Sequence, residues 1–233
     1  MIGVEPGTAE VWWARREDYH AELAGFFDET ELERFARYRR DEDRQRFAVG
    51  CSLAKLVVAR VTGTAASAVV LDRTCTGCGG KHGKPAVVGT DLELSVSHSG
   101  DRVVVAVTRA TPCGVDVERL DGHRDIEALG RVVLAGSERA DARSERDFLR
   151  AWTRKEAVTK ATGDGLRIPF SEVVVSGPGE PPRVLAWPYP DPPDSLSLID
   201  LDPPPGYLAA LAVRGPVTNV VIRNGDGLLA QSH

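Results

Sequence analysis

The sequence predicts an α+β protein built as two halves. Three observations carry this. Apolar residues keep helical spacing through much of the first third, and the period changes to strict alternation at Leu92. The same order, helices and then strands, recurs after about residue 109. Helices and strands come in blocks and do not alternate one by one, as βαβ units would. The expected organisation is a first half over 1–109, a second over 110–215, and a weakly patterned tail over 216–233.

The elements follow in order. Thr30-x-x-Glu33 reads as a capping box opening a short helix from Leu32 to Tyr38. A second helix is expected from about Glu42 to Val61, with Phe47, Cys51, Ala54, Val57, Val58 and Val61 as its apolar positions and Gly63 as its stop. A loop rich in Cys and Gly spans Arg73 to Pro85. Leu92, Leu94 and Val96 alternate with Glu93, Ser95 and Ser97, the mark of a half-buried strand. Ser99-Gly100-Asp101 turns the chain into a second strand, Arg102 to Thr108, making a hairpin. Gly114 to Glu118 is a further strand. A helical stretch begins near Ile126, and a strong helix covers Ser144 to Ala161, closed by Gly163. Strands are expected at 172–176, 183–187, 197–201 and 207–213, separated by Pro-rich turns at 188–193 and 203–205.

Composition narrows the class. The chain has 233 residues, 42% hydrophobic and 27% charged, which suits a protein with a real core. No apolar run approaches the roughly 20 residues that span a bilayer, and Met1 to Pro6 shows no basic stretch leading into an apolar one. A cytoplasmic protein without membrane association is expected. The net charge of -5 argues against a protein that coats nucleic acid, since phosphate binding needs surplus cations. Cys51, Cys75, Cys78 and Cys113 are expected as reduced thiols.

Four constellations carry chemistry. In Gly114-Val115-Asp116-Val117-Glu118, residues two apart share a strand face, so Asp116 and Glu118 stand side by side with Val115 and Val117 toward the core. Two hard oxygen donors on one rigid element suit Mg²⁺; the plain alternative is a solvated strand face. In Trp152-Thr153-Arg154-Lys155-Glu156-Ala157-Val158-Thr159-Lys160, Glu156 and Lys160 share a helix face. That is either an ordinary surface ion pair or a third carboxylate flanked by the phosphate-binding ammonium groups of Lys155 and Lys160. Ser97-His98-Ser99 closes a strand with an imidazole and hydroxyls able to hold a phosphate, or is a turn histidine of structural use only. Gly83-Lys84-Pro85 exposes backbone and one cation, and is silent by itself.

Taken in order and spacing, these four motifs, with Gly163-Asp164-Gly165-Leu166 behind the last, resemble the 4′-phosphopantetheinyl transferases of the surfactin-synthetase-activating type. The likeness runs from about Arg34 to Leu166 and more loosely beyond. It implies a pseudo-dimer of two similar α+β halves with the cofactor cleft between them. It implies transfer of the 4′-phosphopantetheine arm of coenzyme A to a serine of an apo acyl or peptidyl carrier protein, with release of adenosine 3′,5′-bisphosphate. It also implies a monomer, and its larger members suggest service to secondary metabolism.

Residue by residue, Asp116, Glu118 and Glu156 match the family's Mg²⁺ carboxylates. Lys155 and Lys160 match residues near the pyrophosphate, with Lys160 favoured for charge on the leaving group. Ser97 and His98 match a phosphate-binding pair, and Gly83, Lys84 and Pro85 the segment lining the adenine. Arg34 and Arg46 align best, among six arginines between 34 and 46, with cations for the 3′-phosphate. Asp116, Glu156 and Lys160 are the expected catalytic set; the base for the carrier serine is Glu156 or a water held by the metal. Two departures stand out: Ser95 where relatives often carry Asn, and Phe47 where a small polar residue is common.

Cys75-x-x-Cys78 with His82 could supply three Zn²⁺ ligands, though the resemblance requires no zinc and a reduced loop is the plainer reading. The stretch Arg124 to Arg143 and the Leu166-Arg167 loop are candidates for meeting an acidic carrier helix. Two other classes compete: another Mg²⁺-dependent phosphotransferase or pyrophosphatase, and a non-catalytic carrier-binding module. Ser97-His98 and Gly83-Lys84-Pro85 argue against the first. The intact Asp116, Glu118, Glu156 and Lys160 argue against the second.

Overall fold

The computed structural model describes residues 4–75, 77–189 and 195–230. The chain forms two compact units, Met1–Ala110 with Thr218–His233, and Thr111–Val217. Each is α+β.

Elements are numbered in chain order. The first unit contains β1 (Thr8–Arg15), α1 (Glu29–Arg37), α2 (Asp41–Thr62), β2 (Leu71–Asp72), β3 (Ala86–Val87), β4 (Leu92–Ser99), β5 (Arg102–Arg109), β11 (Asn219–Asn224) and α5 (Asp226–Ala230). Its sheet runs β11-β1-β5-β4-β3-β2. β4 and β5 are the expected hairpin, with Ser99 opposite Arg102 and Gly100 at φ +58° in the two-residue loop. Helix α2 lies on β4 and β5. Gly50 allows the approach, since a β-carbon there would sit 3.2 Å from Val96 and 3.4 Å from Val103.

Three expectations are revised in this unit. The first helix begins at Glu29 and not at Leu32, because Asp28 is the N-cap. The Asp28 carboxylate accepts from Glu31 N at 2.8 Å, and Glu31 accepts from Asp28 N at 2.9 Å. Glu31 is fixed there by a buried ion pair with Lys55 at 2.6 Å, so the box closes two residues earlier. The segment Thr8–Arg15 is a strand that alternation does not reveal. It lies between β11 and β5, and most of its residues are buried on both faces. The tail is not patternless: β11 pairs in parallel with β1, Thr8 opposite Asn219 through Trp13 opposite Asn224. Arg223 donates to the buried Glu10 at 3.0 Å, and Glu10 accepts from Trp12 Nε1 at 3.0 Å.

The second unit contains β6 (Cys113–Arg119), α3 (Ile126–Val133), α4 (Glu145–Thr162), β7 (Val174–Val175), β8 (Val184–Ala186), β9 (Ser197–Leu201) and β10 (Tyr207–Val213). The order is β6-β10-β9, all antiparallel, with β7 and β8 as a separate pair. Ser144 caps α4 in a box with Asp147, and Gly163 ends it at φ +80°. β10 is buried along its whole length. The expected Pro-rich turn at 188–193 falls, from Pro190 on, outside the described residues.

Candidate active site

β6 presents Gly114, Asp116 and Glu118 on one face and Val115 and Val117 on the other. That first face is not left to solvent, as the plain reading would have it. Helix α4 lies across it, and Gly114 makes this possible. A β-carbon at 114 would overlap the Ala157 carbonyl oxygen and come 2.8 Å from Cβ of Lys160. The close approach sets the helix residues Glu156 and Lys160 beside the strand carboxylates. Lys160 Nζ donates to Asp116 Oδ1 at 2.7 Å and to Val115 O at 3.2 Å. Asp116 is buried while Lys160 keeps partial exposure.

Burial pushes the Glu156 carboxyl above its ordinary range. Lys160 opposes that rise, whereas the charges of Asp116 and Glu118 add to it, so the three carboxylates share one electrostatic neighbourhood. Such crowding of hard oxygen donors fits Mg²⁺ in kind. Their oxygens do not converge within 4.8 Å of one another in the way that the thiols and imidazole of Cys75, Cys78 and His82 do. Glu118 accepts instead from Arg124 Nη2 at 2.6 Å.

Lys155 does not belong to this group. Its ammonium is fully buried and donates to Glu138 at 2.5 Å and to the carbonyls of Val133 and Phe170, each at 2.9 Å. All three N–H groups are thereby used, and no face remains for a pyrophosphate. One residue along a helix turns the side chain by about 100°, which carries Lys155 from the Glu156 face into the core. Burial lowers its pKa against the pull of Glu138.

In the first unit, Arg34 from α1 lines a cavity of about 360 Å³ together with Phe47, Arg73 and Lys81. Its guanidinium lies 5.4 Å from the Phe47 ring centre, so the unusual Phe47 is an aromatic platform beneath a cation. Arg73 and Lys81 were not singled out in the sequence. Both are isolated cations in a Gly-rich loop, and no periodicity marks them. Burial holds the Arg73 guanidinium below its ordinary pKa, Cys51 opposing and Arg34 reinforcing, and Arg73 Nε is a buried donor without a hydrogen-bond acceptor. Arg46 is elsewhere: it donates to Gly100 O at 2.6 Å and pairs with Asp43 at 2.6 Å, tying α2 to the hairpin turn. Ser97 is buried near the end of β4 and His98 exposed after it. Lys84 donates to Glu93 at 3.1 Å, Pro85 is buried, and Gly83 closes the loop by donating to Arg73 O at 2.7 Å.

Two family models match successive parts of the chain. One, described as 4′-phosphopantetheinyl transferase, N-terminal, covers residues 10–110, and the other, the 4′-phosphopantetheinyl transferase superfamily, covers 112–211. The chain belongs to the 4′-phosphopantetheinyl transferase superfamily. It is 29% identical over 205 residues to the 4′-phosphopantetheinyl transferase HetI of Nostoc sp., covering 83% of this chain and 81% of that one. It is 27% identical over 187 residues to a phosphopantetheinyl transferase of Thraustochytrium sp., covering 69% and 63%. Among solved structures, the holo-[acyl-carrier-protein] synthase of Thermotoga maritima aligns with a TM-score of 0.35 and 22% identity, over 45% of this chain and 63% of that one. Among the described residues of this phosphopantetheinyl transferase, no helix is long and apolar enough to cross a membrane.

The arginines expected to meet a carrier differ in availability. Arg124 is held by Glu118 and by Arg119 O at 2.7 Å. Arg131 is exposed and pairs with Glu127 at 3.3 Å across one helix turn, and Arg167 is half-exposed. The Leu166 side chain lies outside the described residues.

Proposed function

We propose that this phosphopantetheinyl transferase acts on the serine of apo acyl or peptidyl carrier proteins, with coenzyme A as donor, through Asp116, Glu118, Glu156 and Lys160. The observation that carries the reading is the seating of α4 on Gly114, which gathers these four side chains from two elements. The serine oxygen attacks the β-phosphorus of coenzyme A. A new oxygen–phosphorus bond forms and the bond to the bridging pyrophosphate oxygen breaks. The serine is left carrying 4′-phosphopantetheine, and adenosine 3′,5′-bisphosphate departs.

Mg²⁺ held by Asp116, Glu118 and Glu156 would supply charge neutralisation at the pyrophosphate. The chain's own groups do the rest. Lys160, fixed by Asp116, donates to the leaving phosphate oxygen as its charge grows. Glu156 takes the serine proton. Arg124, which donates to Glu118 and to Arg119 O, offers a guanidinium beside this carboxylate set for an acidic partner. Arg34, Arg73 and Lys81 offer a cationic receptor for the 3′-phosphate, with the Phe47 ring beneath Arg34. Ser97 and His98 are assigned to the same end of the cofactor, and Gly83, Lys84 and Pro85 to the adenine. Lys155 has no part, and Arg46 serves the fold. The reading also has the protein work as a cytoplasmic monomer in secondary metabolism.

The test is intact-mass spectrometry of an apo carrier protein incubated with the enzyme, coenzyme A and Mg²⁺. A gain of about 340 Da on the carrier is expected. No gain with acyl and peptidyl carriers alike overturns the reading.

A further inference from the structure

We propose that Cys75, Cys78 and His82 bind a zinc ion, in a site separate from the carboxylates of the second unit. The ligand atoms of these three side chains all lie within 4.8 Å of one another. Cys78 Sγ stands 3.0 Å from His82 Nε2. A tetrahedral zinc with sulfur at about 2.3 Å and nitrogen at about 2.0 Å sets neighbouring ligand atoms about 3.5 Å apart. The cluster needs only a small adjustment to reach that geometry. Two thiolates and an imidazole are soft to borderline donors, which select zinc over Mg²⁺.

The backbone is built around the cluster. Cys75 N donates to Gly80 O at 2.7 Å, Gly79 N to Cys75 O at 2.8 Å, and Gly83 N to Arg73 O at 2.7 Å. Gly79, at φ +74°, reverses the chain directly after Cys78. At Gly80 a β-carbon would stand 3.0 Å from the His82 ring and 3.5 Å from Cys78 Sγ, so the missing side chain leaves room for the ligands to meet. Apolar packing contributes little to this loop: from Asp72 to Lys84 no described residue is fully buried and none is a large hydrophobic. Hydrogen bonds close the loop, and a metal would add a staple where a hydrophobic core is lacking. Among the described residues the cluster has three members, which leaves the fourth position open to water or another ligand. Binding releases one proton from each thiol to water.

The site also bears on the cavity of the first unit. Arg73 precedes Cys75 by two residues, Lys81 lies between Cys78 and His82, and both line that cavity. On the functional reading proposed above, zinc fixes two of the cations that meet coenzyme A. The metal site itself does not depend on that reading.

The experiment uses the full chain, purified under reducing conditions and stripped of metal, then titrated with Zn²⁺ against a chromophoric chelator. One zinc per chain is expected. Co²⁺ in its place should give a thiolate-to-metal charge-transfer band and tetrahedral d–d bands. Cys78→Ser and His82→Ala should each weaken binding by about tenfold or more, while Asp116→Asn should bind zinc as the parent does. Less than a tenth of an equivalent bound would overturn the site. So would undiminished binding by a Cys75→Ser/Cys78→Ser double variant, or a Cys75–Cys78 disulfide in the reduced preparation. Zinc content is read without any transfer assay, so failure of the site and failure of the proposed reaction are distinguishable.

Discussion

Gly114 lies so close beneath Ala157 that a single methyl group on the strand would overlap the helix carbonyl oxygen. The obstacle is backbone, which cannot swing aside as a side chain can. Gly114→Ala should therefore lift α4 from β6, separating Lys160 from Asp116. Overpacking in a core costs typically 1–3 kcal/mol, and this site belongs at the upper end. Urea unfolding should show a loss of about 3 kcal/mol together with loss of transfer. A change under about 0.5 kcal/mol would show that the helix is not so constrained.

Asp116 joins the proposed metal set and fixes Lys160. Asp116→Asn keeps the shape and removes the charge. Transfer should fall by about a hundredfold or more, with unfolding midpoints little changed. Turnover should also depend on added Mg²⁺, and the variant should need more of it. A variant with near-parental kcat at the same Mg²⁺ concentration would remove Asp116 from the machinery.

Lys155 gives the opposite pattern. Its ammonium is sealed against Glu138 and two carbonyls. Removing one partner of a buried pair costs about 3–5 kcal/mol, because the other charge is stranded. Lys155→Met should be strongly destabilised, and Lys155→Met with Glu138→Leu should recover much of the loss. A Lys155→Met protein of parental stability with a raised KM for coenzyme A would return the residue to the cofactor.

Arg73 can be tested by substrate truncation. If its guanidinium meets the 3′-phosphate, Arg73→Gln should raise the KM for coenzyme A by about 10- to 100-fold, the worth of a charge-assisted hydrogen bond. The KM for 3′-dephospho-coenzyme A should be nearly unchanged. Equal effects on both substrates would place Arg73 in the scaffold alone.

The thiols should sort by burial. Cys51 and Cys113 are buried, and burial, reinforced by Glu31, pushes the Cys51 thiol well above its ordinary value. Cys78 is exposed. Alkylation of the native, metal-stripped protein at pH 8 should label Cys78 rapidly and leave Cys51 untouched until unfolding. Rapid labelling of Cys51 would contradict the buried environment.

What could be read from the sequence follows from where each signal resides. The strand Cys113–Arg119 and the helix Glu145–Thr162 have clear periods and caps, so their carboxylates and Lys160 could be placed before any coordinates. Lys155 could not, because spacing tells which helix face a residue occupies but not which face the fold buries. β1 gave no alternation because neighbouring strands and packing cover it on both sides. The glycine at 114 could be seen, but its purpose depends on the helix crossing above it. Arg73 and Lys81 acquire meaning only when the loop closes and brings them to the cavity of Arg34.

The parallel pairing of β1 with β11 has a consequence for how the chain is made. The partner of residues 8–13 is residues 219–224, so during synthesis the β1 edge waits until the whole second unit has been made. The second unit emerges complete before then and is free to fold first. Until β11 arrives, β1 offers an unpaired edge bearing Val11, Trp12 and Trp13, the kind of surface that invites mispairing with other nascent chains. A ribosome stalled just before Asn219 would hold a finished second unit tethered to an open sheet.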